Sequence, residues 1–153
     1  MIKDRYSCHG EKNRRNVLMP ELHRYRLFIS HAWKYDDDYK RIVKMLDEAP
    51  NFIYSNYSVP QHDPIDANNK EKLKEKLRGQ IRPVEVVLIL AGMYVSYSDW
   101  IQIEIDFAKS LEKPIVGIKP WGSERIPQAV QDAAKEIVGW NTSSIVDTIR
   151  RNA

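Results

Sequence analysis

The 153-residue chain is 42% hydrophobic and 29% charged, an ordinary globular mixture that fits one domain and excludes a disordered or fibrous protein. Its one cysteine, Cys8, excludes an intramolecular disulfide, a Cys-x-x-Cys redox pair and a multi-cysteine zinc site. The net charge of +3 is concentrated in residues 1–26, which carry +4 and leave −1 on the remainder. A near-neutral domain is poor material for a phosphate backbone, so nucleic acid is not an expected partner. A reducing, cytoplasmic setting is the simplest expectation.

Residues 1–20 show neither helical nor strand periodicity and are expected to form a flexible leader, with the domain occupying 21–153. No apolar stretch of a secretory signal precedes it. Tyr25 to Ser30 reads as the first strand. Asp36 to Asp38 supply an acidic helix start, and Tyr39, Ile42, Val43 and Leu46 then fall on one helix face. Asn51 to Tyr57 is a second strand and Pro60 to Pro64 a loop. Asp66 is expected to cap a helix built on Leu73, Leu77 and Ile81. Val84 to Leu90 reads as a strand buried on both faces. The run from Val84 to Gly92 is far too short to span a bilayer, and no membrane is expected as a partner.

Ser98 or Asp99 is expected to cap a helix reaching about Glu112, with Ala91-Gly92-Met93-Tyr94 left in a loop before it. Ile115 to Ile118 is a short buried strand, and residues 119–127 form a loop containing Trp121. A weak helix, a strand near Glu136-Ile137-Val138 and a capped helix from Asn141 complete the chain. Strict strand–helix alternation implies a parallel sheet covered by helices on both faces. Five strands fit the α/β flavodoxin-like three-layer fold with sheet order 2-1-3-4-5. Its ligand crevice lies beyond the carboxyl ends of the first and third strands, beside Ser30-His31-Ala32-Trp33 and Ala91 to Tyr94.

The helix after the third strand carries the most informative irregularity. At 100° per residue with Ile101 at zero, Ile105, Ala108, Leu111, Trp100 and Phe107 span an arc from roughly +40° to −120°. Glu104 falls at roughly −60°, inside that apolar arc. A carboxylate there must be paired with Arg or Lys, hydrogen-bonded, or turned toward a cleft, and all three readings stand at this point.

Other motifs subtract possibilities. Four histidines and one cysteine without paired spacing give no expectation of a metal site. Glycine-rich phosphate loops of the dinucleotide-binding and P-loop kinds are absent, as is a G-x-S-x-G elbow. A phosphoacceptor receiver needs an aspartate at the end of the third strand, where this chain has Leu90-Ala91-Gly92.

Arg26 to Trp33, Val87 to Leu90, Ser98 to Ile105 and Pro114 to Ile118 resemble the TIR-like domains of bacteria, nearest to the group containing the ThsB sensor of Thoeris antiphage defence. The likeness spans about residues 22–151, and the Trp-x-x-x-Glu helix is its most specific element. It implies a TIR-like fold and an NAD+ nucleosidase or ADP-ribosyl cyclase-like enzyme that takes NAD+ as substrate, without a cofactor. In enzymatic members the helix glutamate, matching Glu104, lies against the nicotinamide-side ribose.

The likeness also implies a cyclic or modified ADP-ribose signal that activates a separate effector protein, and a homo-oligomer or filament among the expected assemblies. Around Glu104 it implies a pocket wall at Trp100, ribose or phosphate contacts from Ser30 and His31, and stacking by Trp33. His62 and Asp63 belong to the segment that commonly gates such sites. The chain departs from the pattern of some TIR enzymes after the first strand, where the basic residues are missing and Lys34 is the nearby cation. That departure supports the competing expectation, a non-catalytic TIR-like interaction or nucleotide-binding module. A flavodoxin-type mononucleotide binder ranks last, for want of a Thr/Ser-rich first loop.

Overall fold

The apolar runs and amphipathic segments become five strands and five helices among the described residues. In this computed structural model those are 21–30, 37–58, 70–120, 122 and 125–153, with 70 and 93–98 described as backbone only. In chain order the elements are β1 (Arg24–Ile29), α1 (Asp37–Asp47), β2 (Ile53–Asn56), α2 (Lys70–Ile81) and β3 (Val86–Leu90). They continue with α3 (Ala91–Ser110), β4 (Ile115–Ile118), α4 (Gln128–Ala133), β5 (Glu136–Val138) and α5 (Thr142–Asn152). The leader expected over 1–20, the Pro60 to Pro64 loop, the helix-start residues Asp36 and Asp66, and Trp121 lie outside the described residues.

All strand pairs are parallel, in the order β2-β1-β3-β4-β5, as the alternation predicts. Tyr25 sits opposite Tyr54, Phe28 opposite Val87, and Leu88 opposite Val116. Every residue of β3 and β4 is buried, the result of helices lying on both faces. The edge strand β2 stays partly exposed. Helix α1 packs beside α5, whereas α3 packs against α2, α4, β3 and β4. Right-handed crossovers put α1 and α5 on one face of the sheet and the other three helices on the opposite face.

Each helix buries the stripe its periodicity marks. Ile42 and Leu46 are buried on α1, Leu77 and Ile81 on α2, and Ile145 and Ile149 on α5. Asn141 caps α5 by accepting the Ser144 amide at 3.0 Å. Gly117 in β4 lets α4 come down on the sheet: a Cβ there would stand 3.1 Å from Val130 Cγ1 and 3.3 Å from Ile137 Cγ1.

The structure corrects one boundary that matters for the site. Helix α3 begins at Ala91, so Ala91 to Tyr94 form its first turn and no loop separates it from β3. Leu90 is the extended N-cap and no side chain caps the helix. Ala91 is fully buried, so apolar packing rather than a polar cap fixes the junction. Ser98 and Asp99, cap-forming in chemistry, lie within the helix. None of the helices among the described residues is long and apolar enough to cross a membrane.

Candidate functional site

In this sheet order the chain leaves β1 toward one edge and β3 toward the other, and the carboxyl ends of these two strands are the switch point at which open α/β sheets bind ligands. The end of β1 is held from both sides by serine hydroxyls. Ser30, fully buried, donates its amide to the Leu88 carbonyl at 2.8 Å, and its Oγ accepts the Leu90 amide at 3.0 Å. On the other side Ser58 Oγ accepts the Ile29 amide at 3.0 Å and donates to the Ile29 carbonyl at 2.9 Å. Ser58 is itself fixed by its amide bond to Asn56 Oδ1, and Asn56 Nδ2 donates to the Tyr39 hydroxyl on α1. Backbone polar groups that the sheet ladder cannot reach are thereby satisfied at the strand ends.

Two further segments converge at the start of α3. A Cβ placed on Gly92 would stand 3.5 Å from Pro120, after β4, and 3.7 Å from Asp38 Oδ2, in the first turn of α1. A Cβ would fit there at ordinary contact distance, and the approach puts the Asp38 carboxylate near the positive end of the α3 dipole.

Glu104 lies three turns further along α3. Its wheel position is upheld: Ile101 and Ala108 are 0% exposed, Ile105 1%, and Glu104 itself 1%. No cation partners it among the described residues, so the ion-paired reading finds no support there. Desolvation raises its pKa well above the ordinary 4.5, and a hydrogen bond from the Trp100 side chain opposes that rise without cancelling it. Its Oε2 is buried without any hydrogen-bond partner. Most buried polar atoms are satisfied, and leaving one unmade costs about 1–3 kcal/mol. A fold that retains this group accepts a stability penalty at that atom.

Of the residues nominated from sequence, the structure thus describes Ser30, Trp100 and Glu104. Trp100 and Glu104 are brought together on one side of α3, one turn apart, with Trp100 partly buried against the core. Ser30 is placed at the β1–β3 junction with its hydroxyl engaged by backbone. His31, Trp33, Lys34, His62 and Asp63 lie outside the described residues. A groove of about 340 Å³ between α2 and α3 takes Ile103, Asp106 and Phe107 from α3 but not Glu104. Its Arg78 guanidinium sits 4.9 Å over the Phe107 ring.

Sequence reasoning missed the Tyr39–Asn56–Ser58 chain and the approach of Asp38 to Gly92. Polar residues at the end of an edge strand and just past it read as solvent-facing, so Asn56 and Ser58 give no signal of their own. Asp38 is read as a helix start, which it also is.

Comparison with known proteins agrees with this architecture. No curated protein matches the chain. Residues 28–125, more than half of it, match the family described as Thoeris protein ThsB, TIR-like domain.

Proposed function

This chain belongs to the TIR-like family of Thoeris ThsB, and from that premise we propose that it is an enzyme that cleaves the nicotinamide–ribose bond of NAD+. The observation that carries the reading is the fully buried Glu104 carboxyl with its orphaned Oε2, on the helix that leaves β3 at the crossover of the sheet. A stability penalty of this kind is characteristic of groups kept for chemistry.

In the reaction the bond between ribose C1′ and the ring nitrogen breaks, and its electron pair moves onto the nitrogen, releasing neutral nicotinamide. C1′ is left with oxocarbenium character, as in glycoside cleavage. The Glu104 carboxylate stabilises that positive charge and accepts hydrogen bonds from ribose hydroxyls. An oxygen or nitrogen nucleophile then adds to C1′ and gives its proton to solvent. Water yields ADP-ribose, whereas an internal or external acceptor yields a cyclic or modified product.

Trp100 walls the carboxyl and orients it through its indole N–H. Ser30 acts by holding the end of β1 against the start of α3, which the Leu90 bond supports. His31, Trp33, His62 and Asp63 keep the contacts that the family resemblance implies: ribose or phosphate for His31, ring stacking for Trp33, and closure over substrate for the other two. The product passes to a separate effector protein as a diffusible antiphage signal.

Incubation of the full chain with NAD+, followed by product mass determination, tests the reading, with lysate of phage-infected cells included to supply any trigger. Nicotinamide release with an ADP-ribose-derived product is expected. NAD+ left intact under both conditions turns the reading to a non-catalytic interaction module.

A further inference from the structure

The β2–β1 ladder stops one step short of the end of β1, and a side chain makes up the difference. Tyr57 donates its amide to the Leu27 carbonyl at 2.8 Å. Alternate residues of a strand bond toward the same neighbour, so Ile29 is the next residue of β1 to face that side. Where the ladder would continue, Ser58 Oγ instead accepts the Ile29 amide at 3.0 Å and donates to the Ile29 carbonyl at 2.9 Å. Ile29 is fully buried, so neither group has bulk water to fall back on.

The next residue, Ser30, is fastened in the opposite direction, by its amide to the Leu88 carbonyl and by its Oγ to the amide of Leu90, the N-cap of α3. Behind Ser58, Asn56 Oδ1 accepts the Ser58 amide at 2.9 Å and Asn56 Nδ2 donates to the Tyr39 hydroxyl at 2.8 Å. A continuous series of side-chain bonds thus runs from α1 through the ends of β2 and β1 to the start of α3.

We propose that Ser58 is a positioning residue for the ligand site: its hydroxyl fixes the end of β1 against the start of α3 and so sets the spacing of the strand ends at which ligand binds. This rests on the NAD+ reading and deepens it. Three observations favour positioning over a local cap. The tie lies at the switch point, the end of the sheet where ligands bind. Ile29 and Ser30 are adjacent, so losing the bonds on the β2 side loosens the Ser30–Leu90 bond as well. Ser58 is itself braced by Asn56 and through it by Tyr39, the kind of supporting shell that holds a site in the geometry its ligand requires. Glu104 lies on α3, which packs on α2, α4, β3 and β4, so the group assigned to bond breaking keeps its place when the tie is cut. The effect of cutting it falls on substrate binding.

The test compares the full chain with Ser58→Ala, Ser58→Thr and Asn56→Ala by amide hydrogen exchange without ligand and by NAD+ kinetics at equal folded concentration. In Ser58→Ala the Ile29 amide should exchange about tenfold faster, and the Leu90 amide, on the far side of β1, should accelerate with it. KM for NAD+ should rise about five- to tenfold with kcat within about twofold of wild type. Ser58→Thr keeps the hydroxyl and should restore both readouts. Asn56→Ala, at an exposed position, should give the same pattern at smaller amplitude and decides the question if Ser58→Ala does not fold.

Faster exchange confined to Ile29, with Leu90 and KM unmoved, would reduce Ser58 to a local cap and overturn the inference. A fall in kcat at unchanged KM, the mark of lost active protein, would overturn it too, as would failure of Ser58→Thr to restore KM. NAD+ left uncleaved by the wild type would sink the enzymatic reading alone, and exchange at Leu90 then decides the inference. Cleavage with an unchanged KM in Ser58→Ala would sink this inference alone.

Discussion

Replacing Glu104 by glutamine should make the protein more stable, and increasingly so as pH rises. Glutamine is nearly isosteric with the neutral acid and does not titrate. In the wild type, burial holds the Glu104 proton to a pH well above the ordinary 4.5, whereas the unfolded chain loses it near that value. Between those two points the folded state binds more protons than the unfolded state, so wild-type stability falls as pH rises. The slope from this one group is about 1.4 kcal/mol per pH unit, and it ends once the folded carboxyl itself ionises. At about 2–4 °C per kcal/mol for a domain of this size, the Glu104→Gln advantage in Tm grows by roughly 3–6 °C per pH unit above 4.5. Paired thermal melts of the two proteins from about pH 4 to pH 8 isolate the effect, because every other group titrates alike in both. A Tm difference that stays flat across the series, or a variant less stable at every pH, would refute the reasoning that the carboxyl is buried with no counter-charge from the described residues. A gain in stability with a loss of activity is the trade expected of a group retained for function.

Three substitutions test the frame around the site. Ser30→Ala removes the hydroxyl that accepts the Leu90 amide in a fully buried position and should cost about 1–3 kcal/mol in urea denaturation. Gly117→Ala drives a methyl group to 3.1 Å from Val130 Cγ1, and the overpacking should cost about 1–3 kcal/mol, read as a lower Tm. Asn141→Ala removes the acceptor for the Ser144 amide at the start of α5, with an expected loss of about 1 kcal/mol from a shifted denaturation midpoint. In each case an unchanged midpoint would contradict the contact invoked.

The fold was legible because two periods alternate cleanly along the chain. Unbroken apolar runs such as Val87 to Leu90 mark doubly covered strands, and Ile42–Leu46 or Leu77–Ile81 spacing marks the helices that cover them. Glu104 was legible for the same reason: a residue on an apolar arc is buried along with Ile101, Ile105 and Ala108. What the pattern cannot encode is the far side of that side chain, where the orphaned Oε2 appears only once neighbouring elements are in place. The start of α3 differs from the expected one because Ser98 and Asp99 have cap chemistry, whereas the actual junction at Leu90–Ala91 is secured by burial and by Ser30 reaching across from β1. The polar chain from Tyr39 through Asn56 to Ser58 depends on three segments meeting, and one-dimensional spacing is silent on such contacts.

The central claim is that the buried carboxyl of α3 acts on NAD+, and the rate of nicotinamide release by wild type and Glu104→Gln at equal folded concentration tests it most directly. The account predicts release by the wild type and its loss in the variant, whose melting confirms an intact fold. Equal rates from the two proteins would contradict it.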